Sequence, residues 1–407
     1  MQLKNLFKKR IIQDTLWYSA TNVVIQISSL IGVLFVSRYL GPTNLGLYSF
    51  LQNYLAFFVT IFSGLDIYAN WHIVQSKDYY SELIKYTKIK TRITLFLLVL
   101  FGVFSYITLP SDLFPLSLLF VIPVATSIFS SYVFILQYQN STKRIAGTMM
   151  VSSLLLVVAK LVAVYYKLSL FAFVAINSLD GMLVVLVCVY YLTQKNNAPK
   201  ISLTKKDFTD LFSASFFPLV YVFFWFVVVR IDQFFIPIYF NARELGLYSS
   251  AVKVIEMTNV LIVIMQAILL PRVALLHSPI TDKDKTHLSI YLYSFFGIVS
   301  SVSIYLLAPF IVITLFGPDF TDAISILRVY AWSIPGLFIS YLFSVIAMSK
   351  RSYKVLAHTS VFLALTAGLL SYFTAQSGDV LLVASVSVFI YTLSALLFYI
   401  LWRRGIL

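Results

Sequence analysis

The sequence predicts an all-α polytopic membrane protein of about twelve transmembrane helices in two pseudo-symmetric six-helix lobes, and three observations carry that expectation. Hydrophobic residues make up 60% of the chain and charged residues only 11%, far from the balance of a water-soluble domain. Apolar stretches of about 20 residues, each able to cross roughly 30 Å of hydrocarbon as a helix, recur from end to end. A pentamer of the first half, Leu45-Gly46-Leu47-Tyr48-Ser49, returns as Leu245-Gly246-Leu247-Tyr248-Ser249, and Tyr39 returns as Tyr239 at the same offset.

The first span, 15–40, follows a basic start without a small-residue cleavage site, so it reads as an uncleaved first helix and not as a removable signal. Gly41-Pro42 supplies a tight outer turn, and Pro42-Thr43-Asn44 suits the entrance of the second span, 45–70. The inner connection 71–92 mixes Lys85, Lys88 and Arg92 with Asp78 and Glu82, the pattern of a short amphipathic or interfacial helix. Asp66, near the inner end of the second span, reads as interfacial. Spans three to six are expected at 93–110, 115–137, 145–167 and 169–192, with Pro123 inside the fourth.

The stretch 193–210, containing Gln194-Lys195-Asn196-Asn197-Ala198-Pro199-Lys200, is the most linker-like part of the chain. It separates a lobe over 1–195 from a lobe over 211–407, with 196–210 as a linker on the inner side. Spans seven to twelve follow at 211–240, 245–271, 288–308, 322–347, 354–375 and 380–402, and Asn241 can cap the eighth. Each copy of the repeated pentamer begins the second span of its half, just after a tight outer turn. Both copies cross in the same direction, as parallel repeats about an axis along the membrane normal require. Pro218, Pro237 and Pro335 lie well inside spans, where each removes a backbone hydrogen bond; they mark either ordinary kinks or points that bend as the lobes rock.

The thirty Lys and Arg residues set the orientation. Inner segments hold Lys4, Lys8, Lys9 and Arg10; Lys77, Lys85, Lys88, Lys90 and Arg92; Lys143 and Arg144; and Lys195, Lys200, Lys205 and Lys206. They continue with Arg272, Lys283 and Lys285; Lys350, Arg351 and Lys354; and Arg403 and Arg404. Outer connections hold only Arg38, Lys167 and Arg243, which puts both termini inside. The net charge of +14 is then a topology signal and not a nucleic-acid footprint. Cys188 is the sole cysteine, so no intramolecular disulfide can form. His72, His277, His287 and His358 have no metal-ligand spacing, and no metal or catalytic histidine is expected.

A charge near the bilayer centre costs roughly 2.5–3.5 kcal/mol, so such residues face a cavity or a partner. Arg230 lies about ten residues, roughly 15 Å, from the outer end of the seventh span. Asp232 is about 200° further round the helix, so the two cannot share a face. Lys253 and Glu256 in the eighth span are spaced i,i+3 and do share one. Asp180 falls near the middle of the sixth span, and Lys160 and Arg328 lie within two turns of the outer boundary. Lys160 and Arg328 can snorkel to headgroups, Lys253 and Glu256 can neutralise each other, and Arg230 can pair with Asp180, Asp232 or Glu256. If they point inward, Lys160, Arg230, Lys253 and Arg328 form a cationic cavity suited to an anionic amphipathic substrate.

In these motifs the chain resembles the polysaccharide-transporter family of the multidrug/oligosaccharidyl-lipid/polysaccharide (MOP) exporter superfamily, and within it the O-antigen and repeat-unit flippases of bacteria. The likeness rests on Tyr39-Leu40-Gly41-Pro42 with Leu45 to Ser49, and on Arg230-Ile231-Asp232-Gln233 leading to Leu245 through Lys253. Leu270-Pro271-Arg272 and Leu315-Phe316-Gly317 with Phe320 and Ala323 complete it. The resemblance implies two lobes around a central cavity in a bacterial inner membrane, both termini cytoplasmic. It further implies alternating access that carries a polyprenyl-diphosphate-linked oligosaccharide from the inner to the outer leaflet. It implies no bound cofactor, coupling to a H+ or Na+ gradient, and the polymerase and other glycan assembly proteins as partners. Carried over residue by residue, Arg230 and Lys253 become diphosphate or acidic-sugar contacts, and Asp232, Glu256 and Asp180 ion-coupling or gating carboxylates. Lipid II flippases resemble this chain but typically have two further C-terminal helices and charges inside the first span. Here the first span offers Asn22 and Gln26, with Asp14 only at its edge. The acidic residue that multidrug exporters of the superfamily often carry in that helix is also missing.

Two other functions compete. A cation-coupled drug exporter of the same fold suits the 17% aromatic content but predicts a cavity dominated by acids. A membrane polymerase acting on the same lipid needs catalytic groups on a substantial outer loop, and the connection around 308–322 offers only Asp319 and Asp322.

Overall fold

The computed structural model describes residues 2–136, 142–195, 202–265 and 283–407. The centre of the linker, the Leu270-Pro271-Arg272 motif and His277 lie outside the described residues, as do the side chains of Lys4, Lys8, Lys9, Arg10, Asp14, Lys195, Lys283 and Lys285. Among the described residues every regular element is helical.

Helix α1 runs 74 residues from Gln2 to Gln75, and its only non-helical residue is Gly41, at φ +68° and ψ 175°. That backbone geometry is open to glycine, and Pro42 beside it presets the helical φ. The turn between the first two spans is therefore a one-residue bend. Asp78 accepts a hydrogen bond from the Ser81 amide and starts α2, Tyr79–Thr108. Its bonds to Ser81 hold the Asp78 carboxyl below the ordinary carboxylate range. The expected interfacial helix at 71–92 is thus not a separate element; most of it forms the first turns of the third span.

The fourth span is broken into α3 (Phe114–Leu118), α4 (Val121–Thr126) and α5 (Ser130–Leu136), with a 3₁₀ turn at Ser127–Phe129 just after Pro123. Removing the proline N–H from the ladder favours such interruptions. Helix α6, Thr142–Tyr165, is followed by α7 (Leu170–Ser178) and α8 (Met182–Lys195), which part at Gly181, φ +75°. Helix α9, Lys205–Tyr239, begins with a reciprocal cap in which the Thr204 and Asp207 side chains each accept the other's amide. It continues through Pro218 without a break. Asn241 caps α10, Ala242–Met257, by accepting from the Glu244 amide at 2.9 Å. Helix α11 spans Lys283–Leu315. Next come α12 (Ala323–Ala331) and α13 (Ile334–Ser349), bent by 48° immediately before Pro335. Helices α14 (Tyr353–Gln376) and α15 (Val380–Arg403) end the chain.

Among the described residues ten helical stretches are long and apolar enough to cross a membrane, or 11 with α12 and α13 taken as one bent span. Splitting α1 at Gly41 adds a further crossing, so about twelve result. The surface agrees with a lipid solvent. On α2, Leu95, Phe96, Val99 and Val103 are 54–66% exposed, while Lys90 of the same helix is fully buried. Water would favour the reverse.

The helices form two compact units. One comprises Met1–Thr15, Val33–Asn53 and Phe224–Leu407; the other comprises Leu16–Gly32 and Tyr54–Phe223. In the first, the buried residues Val228, Leu363, Ala367, Val386 and Ile390 join α9, α14 and α15. The two repeated pentamers also meet there, backbone against backbone at Gly46 and Gly246. In the second, Leu65, Leu83, Ile135, Cys188 and Leu211 form the core.

Candidate functional site

Helix α9 carries Arg230 and Asp232, and α10 carries Lys253 and Glu256. Glu256 collects the two bases. Arg230 Nη2 donates to its Oε1, and Lys253 Nζ donates to Oε2 at 2.9 Å. The side chains of Arg230, Glu256 and Lys253 are 19%, 27% and 32% exposed, so the triad is partly open. With two cations on one carboxylate it carries a net positive charge. Of the acids that could pair with Arg230, the structure selects Glu256. The i,i+3 spacing had already placed Lys253 on the same face.

Asp232 points elsewhere, as its position on the helix requires. Its Oδ2 accepts from Tyr248 Oη at 2.5 Å, Ser387 Oγ at 2.9 Å and Tyr330 Oη at 3.5 Å, and its Oδ1 accepts from the Gln233 amide at 2.7 Å. It is buried, and among the described residues no base pairs with it. Three hydroxyls and a backbone amide stabilise the carboxylate in place of a cation. Beside it, Gln233 Oε1 accepts from Asn53 Nδ2 at 2.8 Å and lies 3.4 Å from Ser249 Oγ.

Of the other expected residues, Arg328 lies in the same unit as the triad, and Lys160 and Asp180 belong to the second unit. Arg328 is exposed and lies over the Tyr305 ring at 5.6 Å. Lys160 belongs to the second unit, where Nζ is 3.5 Å from Asn177 Oδ1 and its stem packs on Gly32. Asp180 is exposed at the break between α7 and α8, in the same unit. Sequence reasoning passed over Asn53, Gln233, Tyr248, Tyr330 and Ser387. Tyr248 is part of the repeated pentamer, a signal that could have flagged it.

One reading changes outright. Asp66 was expected at the interface and Lys90 among the inner-side charges, but together they form a buried ion pair. Lys90 Nζ lies 2.8 and 3.1 Å from the Asp66 oxygens and 2.6 Å from Ser130 Oγ. Ser130 and Tyr86 also donate to Asp66, at 2.5 and 2.7 Å, and Nζ sits 5.1 Å from the Phe62 ring centre. Helix α2 begins at Tyr79, well before the expected span start at 93, so residue 90 enters the packed core where a loop residue would face water. Among the described residues no group of three His, Cys, Asp or Glu side chains could hold a metal.

Residues 11–277 match the family described as polysaccharide biosynthesis protein. No curated protein sequence matches the chain. Solved structures do match in fold. A MOP-superfamily transporter from Pyrococcus furiosus, described by the reverse polarity of its binding pocket, aligns with a TM-score of 0.64 at 15% identity, over 98% of this chain and 96% of that one. A multidrug resistance MATE transporter in an inward-facing conformation gives 0.68 at 14% identity, over 94% of each chain. The lipid II flippase MurJ in an inward closed conformation gives 0.67 at 15% identity, over 96% of this chain and 87% of that one. The match over residues 11–277 establishes that this chain belongs to the polysaccharide biosynthesis protein family, and its helical fold is the one these MOP-superfamily structures share.

Proposed function

We propose that the chain is a flippase that moves a polyprenyl-diphosphate-linked oligosaccharide, a polysaccharide or O-antigen repeat unit, from the inner to the outer leaflet. The observation that carries this reading is the convergence of Arg230 and Lys253 on one carboxylate within apolar spans. A net positive site costs free energy in lipid unless it serves an anion. A diphosphate suits it, because a guanidinium can grip phosphate oxygens in bidentate fashion while an ammonium follows as a mobile point charge. The polyprenyl tail stays in hydrocarbon throughout. The family description and the fold shared with a lipid II flippase support the same substrate class.

In this reading the lobes over 1–195 and 211–407, joined by 196–210, alternate access in a bacterial inner membrane with both termini cytoplasmic. Asp232 couples the cycle to H+ or Na+, because it is the buried carboxylate without a paired base. Arg328 and Lys160 contact acidic sugars in transit, and Asp180 acts at the helix break as a gating residue. The translocated unit passes to the polymerase and other assembly proteins on the outer face. Cargo binding must differ in strength between the two access states, or it cannot shift their population.

The test is deletion of the gene in a strain that makes the glycan, followed by mass spectrometry of extracted lipid-linked intermediates. Accumulation of a completed diphosphate-linked unit with loss of surface glycan is expected. Unchanged intermediates and surface glycan, in a strain shown to lack a second flippase, would overturn the proposal in favour of cation-coupled drug efflux.

A further inference from the structure

We propose that Glu256 is an internal occupant of the anion site, holding on Arg230 and Lys253 the places that the diphosphate takes and leaving when the diphosphate arrives. This inference rests on the flippase reading and adds a selectivity device to it.

Three buried or half-buried carboxylates of this protein differ in what holds them. Asp232 is fixed by hydroxyls from Tyr248, Tyr330 and Ser387 and by the Gln233 amide. Asp66 is fixed by Ser130 and Tyr86 as well as by Lys90. Each of these keeps neutral donors of its own, independent of Arg230 and Lys253. Glu256 is different: among the described residues its two oxygens are held by Arg230 and Lys253 and by nothing else. An anion that takes the donors these two cations give to Glu256 releases it, because no neutral donor among the described residues holds it.

The openness of the sites differs in the same sense. Lys90 is 0% exposed and Asp66 15%, a closed structural pair. Arg230, Glu256 and Lys253 are 19–32% exposed, so an incoming group can reach them. Glu256 stands one turn from Lys253 on α10 and faces Arg230 on α9, so its two oxygens mark the separation that a bridging phosphate group would cover. Between transport events the carboxylate lowers the cost of two cations in lipid by cancelling one of them.

A tethered carboxylate is a competitor at fixed high local concentration. It raises the threshold for every anion that must displace it. A diphosphate, with more charge and more acceptor oxygens than a carboxylate, clears the threshold. Single-phosphate headgroups, which surround the protein in vast excess, fall below it. Glu256 thereby keeps ordinary phospholipids out of a site that diphosphates can enter.

The experiment measures binding of geranylgeranyl diphosphate and geranylgeranyl monophosphate to the full chain in nanodiscs. Wild type is compared with Glu256→Gln, Glu256→Asp and Arg230→Ala. Glu256→Gln, isosteric but uncharged, should bind the diphosphate about tenfold tighter and gain measurable monophosphate binding. Should that variant not fold, Glu256→Asp retains the charge but falls a methylene short of bridging both cations, and it should gain affinity in the same direction. Unchanged or weaker diphosphate binding by a folded Glu256 variant, with wild type binding and Arg230→Ala not, would overturn the internal-occupant role and leave the flippase reading standing. Diphosphate binding that is absent from wild type and Glu256→Gln alike, or indifferent to Arg230→Ala, would overturn the anion site itself.

Discussion

Gly46 and Gly246 face each other where the two Leu-Gly-Leu-Tyr-Ser segments cross, each pressed against the backbone that precedes the other. A Cβ placed on Gly46 would lie 1.8 Å from the Ala242 carbonyl oxygen, and one on Gly246 would lie 1.8 Å from that of Pro42. The contact is reciprocal: the residues touched stand at the same offset in the chain as the glycines that touch them. Such an isologous arrangement is what a two-fold axis between repeats produces. Small residues at the crossing let the backbones close to a distance that no side chain would permit.

Replacing Gly46 or Gly246 with Ala should therefore destabilise the protein by about 1–3 kcal/mol, the usual cost of overpacking. The obstacle is a main-chain carbonyl, so no truncation of a neighbouring side chain should rescue either variant. Thermal unfolding of the purified protein in detergent checks both statements. A Gly46→Ala protein as stable as wild type would contradict the close approach.

Arg230→Ala should abolish export of the lipid-linked glycan, and Arg230→Lys should leave part of it. Lys253 remains on Glu256 in the Ala variant, so Glu256 is not stranded and the amount of folded protein should hold. The readout is surface glycan normalised to protein level. Normal export by Arg230→Ala would remove this residue from the mechanism.

Asp232→Asn should uncouple export from the ion gradient, because an amide cannot take up and release the charge that the proposed cycle requires. Export measured with and without a protonophore or a sodium ionophore should lose its sensitivity in this variant. The two ionophores also distinguish the ion in wild type. Tyr248→Phe, which strips one hydroxyl from the buried carboxylate, should cost about 1–3 kcal/mol of stability.

Breaking the Asp66–Lys90 pair from one side should be severe. Lys90→Met leaves a buried carboxylate without its cation and should cost about 3–5 kcal/mol. The double variant Lys90→Met/Asp66→Leu should recover most of that loss, because both charges are gone and the pocket is lined by Phe62 and Tyr86. Denaturation of wild type, Lys90→Met, Asp66→Leu and the double variant forms a double-mutant cycle. A double variant that loses the sum of the two single losses would mean that the pair is not coupled.

Much of this architecture could be read from the sequence, and each departure has a local cause. The bend at Gly41 and the cap at Asn241 are where turn chemistry places them. The bend of 48° falls just ahead of Pro335, and the fourth span breaks around Pro123, as missing backbone donors lead one to expect. Helix α9 runs through Pro218 unbroken. The inner connection at 71–92 was misread because its charges suggest a helix lying at the interface. In the structure those charges line the first turns of α2, with Lys85 reaching Asp207 at 2.6 Å.

The sequence by itself determined the membrane class, the approximate number of crossings, the internal repeat, and that Arg230, Asp232, Lys253 and Glu256 lie within spans. All of these are properties of single segments, because in lipid each helix must satisfy its own backbone and present its own apolar surface. Only the tertiary structure decided that Arg230 pairs with Glu256 and not with Asp180, that Asp232 is held by Tyr248 and Ser387, and that Lys90 is buried on Asp66. A charge buried in a low-dielectric interior must find a partner within a few ångströms, and which side chain comes that close is set by how helices far apart in the chain pack.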